Sequence, residues 1–149
     1  VTEDLLYRLE RDLIRDEGWR THPYNCTRGH RTIGVGHKLM PHEMKDAEAG
    51  WTSEQIFKAL RQDIHLAIRG CEYIFGRSRF NGFSEPRQRA IANMVFQMGT
   101  GGVLKFTRMV NAIYAGRWDE AHKEALDSKW AREDSPERAK RVAAMLLEG

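Results

Sequence analysis

Glu17, Cys26 and Thr32 are the residues near the start of the chain whose types and spacing could do chemistry. Eight residues separate the first two and five the second two. Glycoside cleavage needs an acid to protonate the leaving oxygen and a second group to manage water or developing positive charge. Glu17 could supply the acid. An ordinary thiol, with a pKa of about 8.5, is mostly neutral at neutral pH. Neutral, Cys26 could hold or polarise the attacking water; as a thiolate it could act as a base or stabilise an oxocarbenium-like transition state. Arg28, His30 and Arg31 are the nearby groups that could depress its pKa. Taken singly, the three are ordinary: a helix-end carboxylate, a small apolar residue and a β-favouring threonine. They acquire a joint meaning if the fold turns them toward one cleft.

The surrounding elements make that arrangement reachable. Leu5, Leu6, Leu9, Leu13 and Ile14 recur at helical spacing, so residues 3 to 17 form an amphipathic helix capped by Thr2 and stopped by Gly18. Glu17 then sits at the helix C-terminus, where the dipole disfavours a negative charge, the setting a proton donor needs. From Pro23 to Gly36, glycines and a proline break any helix. "RTIGVGHKL" alternates like a strand, with Ile33, Val35 and His37 on one side, and "TRGH" is a turn. Gly34 and Gly36 leave a face bare for the close approach of a backbone or a ligand.

The rest is helical. Thr52 and Gln55 form a capping box for a strut helix whose apolar stripe, Ile56 to Ile68, ends near Gly70. "FSEPRQRAIANMVFQMG" begins at a Ser84 cap and stops at Gly99. Segments containing Met109 and Trp118 follow, and a last helix opens with Ser135 as cap and Pro136 in its first position. Residues 40 to 52 and 72 to 83 carry no clear motif.

At 149 residues, 41% hydrophobic and 30% charged, the chain is long enough to bury a core without metals or disulfides. Cys26 and Cys71 fit no metal spacing and read as free thiols. No apolar run reaches the roughly 20 residues a membrane span needs. The sequence starts at Val1 rather than an initiator methionine, which is compatible with a preceding segment. The net charge of +3 favours anionic partners only mildly. "RAKR" with Val142, Met145 and Leu146 reads as a weakly cationic helix able to touch an anionic envelope, or as a plain solvated face. No nucleic-acid recognition motif or stacking platform accompanies the basic residues.

"DEG", "TIGVGH", "NMVFQMG", "RWDEA" and "PERAKRV" occur in an order that resembles the T-even phage lysozyme family, glycoside hydrolase family 24, over roughly residues 5 to 145. The resemblance implies an α+β, mainly α, lysozyme-like fold of two lobes. A small β-hairpin lobe (about residues 14–55) and a larger helical lobe (about residues 70–149 with the N-terminal helix) would be joined by a long helix. Together they would make residues 1–149 one catalytic domain.

The implied activity is hydrolysis of the β-1,4 bond between N-acetylmuramic acid and N-acetylglucosamine in peptidoglycan. Glu17 would be the acid and Thr32 would position water; Cys26 stands where aspartate is commoner in the family. Arg138 would pair with Glu17, His37 with Asp63 would tie sheet to strut, and Phe96 and Gln97 would touch sugar, with Gly34 and Gly36 giving the strand access to the glycan. Met109 and Glu124 depart from the common pattern. No cofactor or metal is implied. The partner would be peptidoglycan glycan strands, met by a monomer made in the cytoplasm of an infected bacterial host and acting on its wall from the periplasm. The alternatives are a lytic transglycosylase and an inactive wall-binding relative. Thr32 favours hydrolysis over the first, and intact Glu17 and Thr32 weigh against the second.

Overall fold

A computed structural model describes all of residues 1–149. Helix α1 (Glu3–Glu17) begins where the Thr2 hydroxyl accepts from the Leu5 amide at 3.1 Å. It buries Leu5, Leu9 and Leu13 and ends at Gly18, whose positive φ (+84°) turns the chain while its amide closes on the Ile14 carbonyl. Strands β1 (Arg20–Asn25), β2 (Arg31–Gly34) and β3 (His37–Lys38) then form an antiparallel sheet in chain order. In β1–β2, Tyr24 pairs with Thr32 and Arg20 with Gly34; the ladder is irregular between Arg20 and Tyr24, around Pro23. The alternation expected through "RTIGVGHKL" does not run on. Gly34 and Gly36 take φ of +66° and +63°, so the chain reverses there and His37 pairs with Ile33.

Residues 40 to 52, where the sequence shows no motif, fold as a 3-10 turn (Pro41–Glu43) and the short helix α2 (Met44–Ala47). Ile33, Leu39 and Ala47 make a small core there, with Trp51 against it. Helix α3 (Ser53–Phe75) starts on the reciprocal Thr52–Gln55 capping box. At 23 residues it is roughly 34 Å long. It runs past the expected end at Gly70, which instead lies mid-helix where α3 crosses the next long helix. A β-carbon at Gly70 would come 2.8 Å from Val95 Cγ1 and closer still to the Thr100 hydroxyl, so the glycine sets that crossing.

Helices α4 (Arg77–Gly82), α5 (Glu85–Leu104), α6 (Thr107–Tyr114), α7 (Trp118–Leu126) and α8 (Pro136–Met145) complete the larger lobe. Helix α5 is interrupted at Gly99, at φ +78° and ψ 165°, the stop expected from the sequence, and resumes beyond it. A π-helical turn, Trp130–Asp134, joins α7 to α8. One continuous core, including Leu9, Leu13, Ile64, Ile91, Met94 and Ile113, spans α1, α3, α5 and α6. The N-terminal helix is fastened to it by a paired contact from Arg89 to the Asp12 carboxylate at 2.8 and 3.1 Å. The architecture is thus mainly α with a small antiparallel sheet, in two lobes bridged by α3.

Candidate active site

Glu17 ends α1 and is held from two sides. Arg138, on α8, donates from Nη1 to Glu17 Oε2 at 2.7 Å and from Nε to Asn93 Oδ1 at 2.9 Å. On the other side lies the β2–β3 turn: a β-carbon on Gly36 would sit 2.7 Å from Glu17 Oε1. Behind this pair is Asp16, its side chain fully buried. Burial opposes its charge, yet hydrogen bonds from Arg15, Asn93 and Arg141, with the nearby charge of Arg138, hold its carboxyl below the usual range. Arg138 is therefore fixed by Asn93 and Asp16 as well as by Glu17, and only its Nη2, buried and without a partner, remains free.

Cys26 follows β1 and Thr32 lies in β2. The Cys26 amide donates to the His30 carbonyl at 2.9 Å and the Gly29 amide to the Cys26 carbonyl at 2.8 Å, closing a tight turn. Burial raises the thiol's pKa, but the backbone N–H groups of Arg28 and His30, the Thr32 hydroxyl and the charge of Lys38 more than compensate, so it lies below the ordinary thiol value. The expectation that cationic side chains at 28, 30 or 31 would do this is corrected: two backbone amides of the turn act first, and Arg31 is engaged with Glu48 at 3.2 Å. The Thr32 hydroxyl directs its proton to the His30 carbonyl at 2.9 Å, and by rotation turns it to the Cys26 sulfur instead. Its lone pairs are left to accept.

The space between the lobes has two chambers that meet at Met98. One, about 420 Å³, is lined by Gly36, His37, Lys38, Asp63, Phe96 and Gly99, among others. The other, about 890 Å³, is lined mainly by the end of α5, the start of α6 and the stretch from the end of α7 through the π-helical turn, with Arg28 also in its lining. Arg28 approaches Asp134 across this gap at 3.7 Å. Glu17, Cys26 and Thr32 line neither chamber; Glu17 lies against Gly36 of the smaller one, and Arg28, which follows Cys26 in the chain, lines the larger.

The remaining sequence-derived residues fall in different places. Phe96 lines the smaller chamber. Gln97 faces its own lobe, accepting from Trp130 Nε1 at 2.9 Å and donating to Ser135 Oγ at 3.0 Å. Ser135 consequently gives α8 no side-chain cap. Gly34 packs on Ile56 rather than lining a chamber. His37 Nδ1 meets Asp63 at 2.6 Å as expected, but its Nε2 also meets Glu43 at 3.1 Å. Glu43 was missed because residues 40 to 52 show no periodicity to place it. Within "RAKR", Arg138 is buried on Glu17, whereas Lys140 and Arg141 remain exposed, Arg141 while bonding Asp16.

A model of the phage lysozyme family matches residues 15–146 of the chain. The pre-baseplate central spike protein Gp5 of Enterobacteria phage T4 is 33% identical over 92% of this chain, which spans only 27% of that protein. Two relatives of similar length come from Dictyostelium discoideum. Probable T4-type lysozyme 2 is 31% identical and probable T4-type lysozyme 1 is 29% identical, each over 93% of this chain and 94% of its own length.

Proposed function

Since the chain belongs to the phage lysozyme family, we propose that it hydrolyses the β-1,4 bond between N-acetylmuramic acid and N-acetylglucosamine in peptidoglycan, working as one monomeric catalytic unit over residues 1–149. The observation that carries this reading is Glu17, fixed by Arg138 and packed against Gly36 of the same small sheet that holds Thr32 and whose strand β1 is followed by Cys26. Glu17 gives its proton to the leaving glycosidic oxygen as the bond to the anomeric carbon breaks. Water attacks that carbon from the opposite face. Thr32 Oγ1, whose own proton is on the His30 carbonyl, accepts one water hydrogen. In its thiolate form, which the Arg28 and His30 amides favour, Cys26 takes the other as a proton. Solvent then carries that proton away and Glu17 is reprotonated. Such displacement inverts the anomeric centre. These groups supply acid, base and water placement with no call for a metal or organic cofactor.

The site of action follows from the substrate: the wall of an infected bacterial host, reached from the periplasm after synthesis in the cytoplasm. No helix is long and apolar enough to cross a membrane. Mass spectrometry of fragments released from purified peptidoglycan tests the reading. Reducing N-acetylmuramic acid ends that vanish in Glu17→Gln are expected. Ends of the 1,6-anhydro type would make the protein a lytic transglycosylase, and no fragments from folded protein would make it a wall-binding relative.

A further inference from the structure

Tyr24 lies beside the same reacting groups and has no role in the scheme above. In the β1–β2 ladder it is the direct partner of Thr32, so the two side chains share one face of the sheet. Cys26, two residues further on and paired through its amide with His30, stays on that side. The ring is half-buried and the Arg20 guanidinium rests 4.7 Å from its centroid. Burial raises the phenol's pKa first, and the charges of Glu17 and Cys26 raise it further against the opposing charge of Arg20. The hydroxyl is therefore within electrostatic reach of both the acid and the thiol, and it stays a neutral O–H donor across the pH range in which either works. No protein group hydrogen-bonds to it.

We infer that Tyr24 is a further catalytic residue, whose hydroxyl donates a hydrogen bond to the sugar at the bond being cleaved, between Glu17 and Cys26. The inference rests on the hydrolase reading. In the scheme above Cys26 and Thr32 both act on the water as acceptors, so Tyr24 supplies a donor that the scheme otherwise lacks. The departing glycosidic oxygen is where negative charge grows as its bond to the oxocarbenium-like carbon breaks, and a phenolic donor at that oxygen strengthens with it.

The test compares wild type, Tyr24→Phe and Glu17→Gln on soluble, uncross-linked peptidoglycan oligomers, with kcat and KM read from fragment release and Tm measured alongside. Tyr24→Phe keeps the ring and its Arg20 contact. A fall in kcat of about 10- to 100-fold is expected, with KM changed less than threefold and Tm unchanged. Wild-type kcat in Tyr24→Phe overturns the inference, as does a loss of activity matched by loss of folded protein. If wild type releases no fragments, the hydrolase reading falls and this inference with it. If wild type releases reducing ends that Glu17→Gln abolishes, while Tyr24→Phe equals wild type, only the role of Tyr24 falls.

Discussion

Gly36 and Glu17 are in such close contact that a single methyl group on the glycine would overlap the carboxyl: the added carbon would lie 2.7 Å from Oε1 and 2.8 Å from Cδ. Gly36 also holds φ at +63°. Gly36→Ala should lower stability by about 1–3 kcal/mol in urea unfolding. It should also cut activity at least tenfold in the protein that remains folded, because Glu17 is driven off Arg138. Gly34→Ala is the control. It carries a similar φ penalty, +66°, but meets Ile56 at 3.3 Å and leaves Glu17 untouched, so its activity loss should follow stability alone.

Arg138 joins Glu17, Asn93 and Asp16 into one buried set. Removing it leaves Asp16 buried with one cation fewer. Arg138→Ala should therefore cost about 3–5 kcal/mol, the range for breaking a buried pair from one side. Arg138→Lys keeps the charge but not the fork that reaches Glu17 and Asn93 together. It should recover part of the stability and little of the activity. Activity fully restored by lysine would mean that charge, not orientation, is what Glu17 requires.

His37 gives a pH signature. Burial lowers its pKa, but Asp63 and Glu43 raise it further, to a net position above the ordinary 6.5. The stabilisation is fully present below pH 6.5 and is lost as pH rises through the elevated folded value. Glu43 is lowered from its ordinary 4.5, so its share is present above that pH and is lost as pH falls through the depressed folded value. Thermal melts of Asp63→Asn should thus fall furthest below wild type near pH 6 and converge with it at alkaline pH. Glu43→Gln should show its largest deficit between the ordinary glutamate and imidazole values. A deficit independent of pH would assign these carboxylates to packing alone.

The two cysteines should separate cleanly on alkylation. Cys71 is fully buried on α3 and its thiol is pushed far above the ordinary value by burial, whereas Cys26 is half-exposed and shifted downward. Iodoacetamide at neutral pH should therefore modify native protein once, at Cys26, by peptide mapping. The modified protein should lose glycan cleavage, and Cys26→Asp, which keeps an anionic water acceptor, should retain it. Full activity after stoichiometric modification of Cys26 would remove it from the mechanism.

The sequence carried much of this arrangement because its signals are local. The Thr2 cap, Gly18 stop, Thr52–Gln55 box and Ser84 start each depend on a few adjacent residues, and α1, α3 and α5 begin or end there. What was hidden depends on tertiary contact. Gly70 reads as a helix terminator but serves a helix crossing, which only the position of Val95 and Thr100 reveals. Ser135 reads as an N-cap but is engaged by Gln97. The second partner of His37, Glu43, comes from a segment without periodicity. The amides that stabilise Cys26 are backbone groups, and no side-chain pattern announces them.

The break between α1 and the sheet at Gly18 divides the reacting groups between two bodies. Glu17 belongs with the helices, tied to α8 through Arg138, while Cys26 and Thr32 travel with the strands. Any change in the angle between the bodies alters the distance from proton donor to water site without loosening the donor. The size of that gap decides whether a water molecule fits between acid and thiol or the thiol reaches the sugar directly. The contact of Arg28 with Asp134, at 3.7 Å, links the strand side of that gap to the helical side.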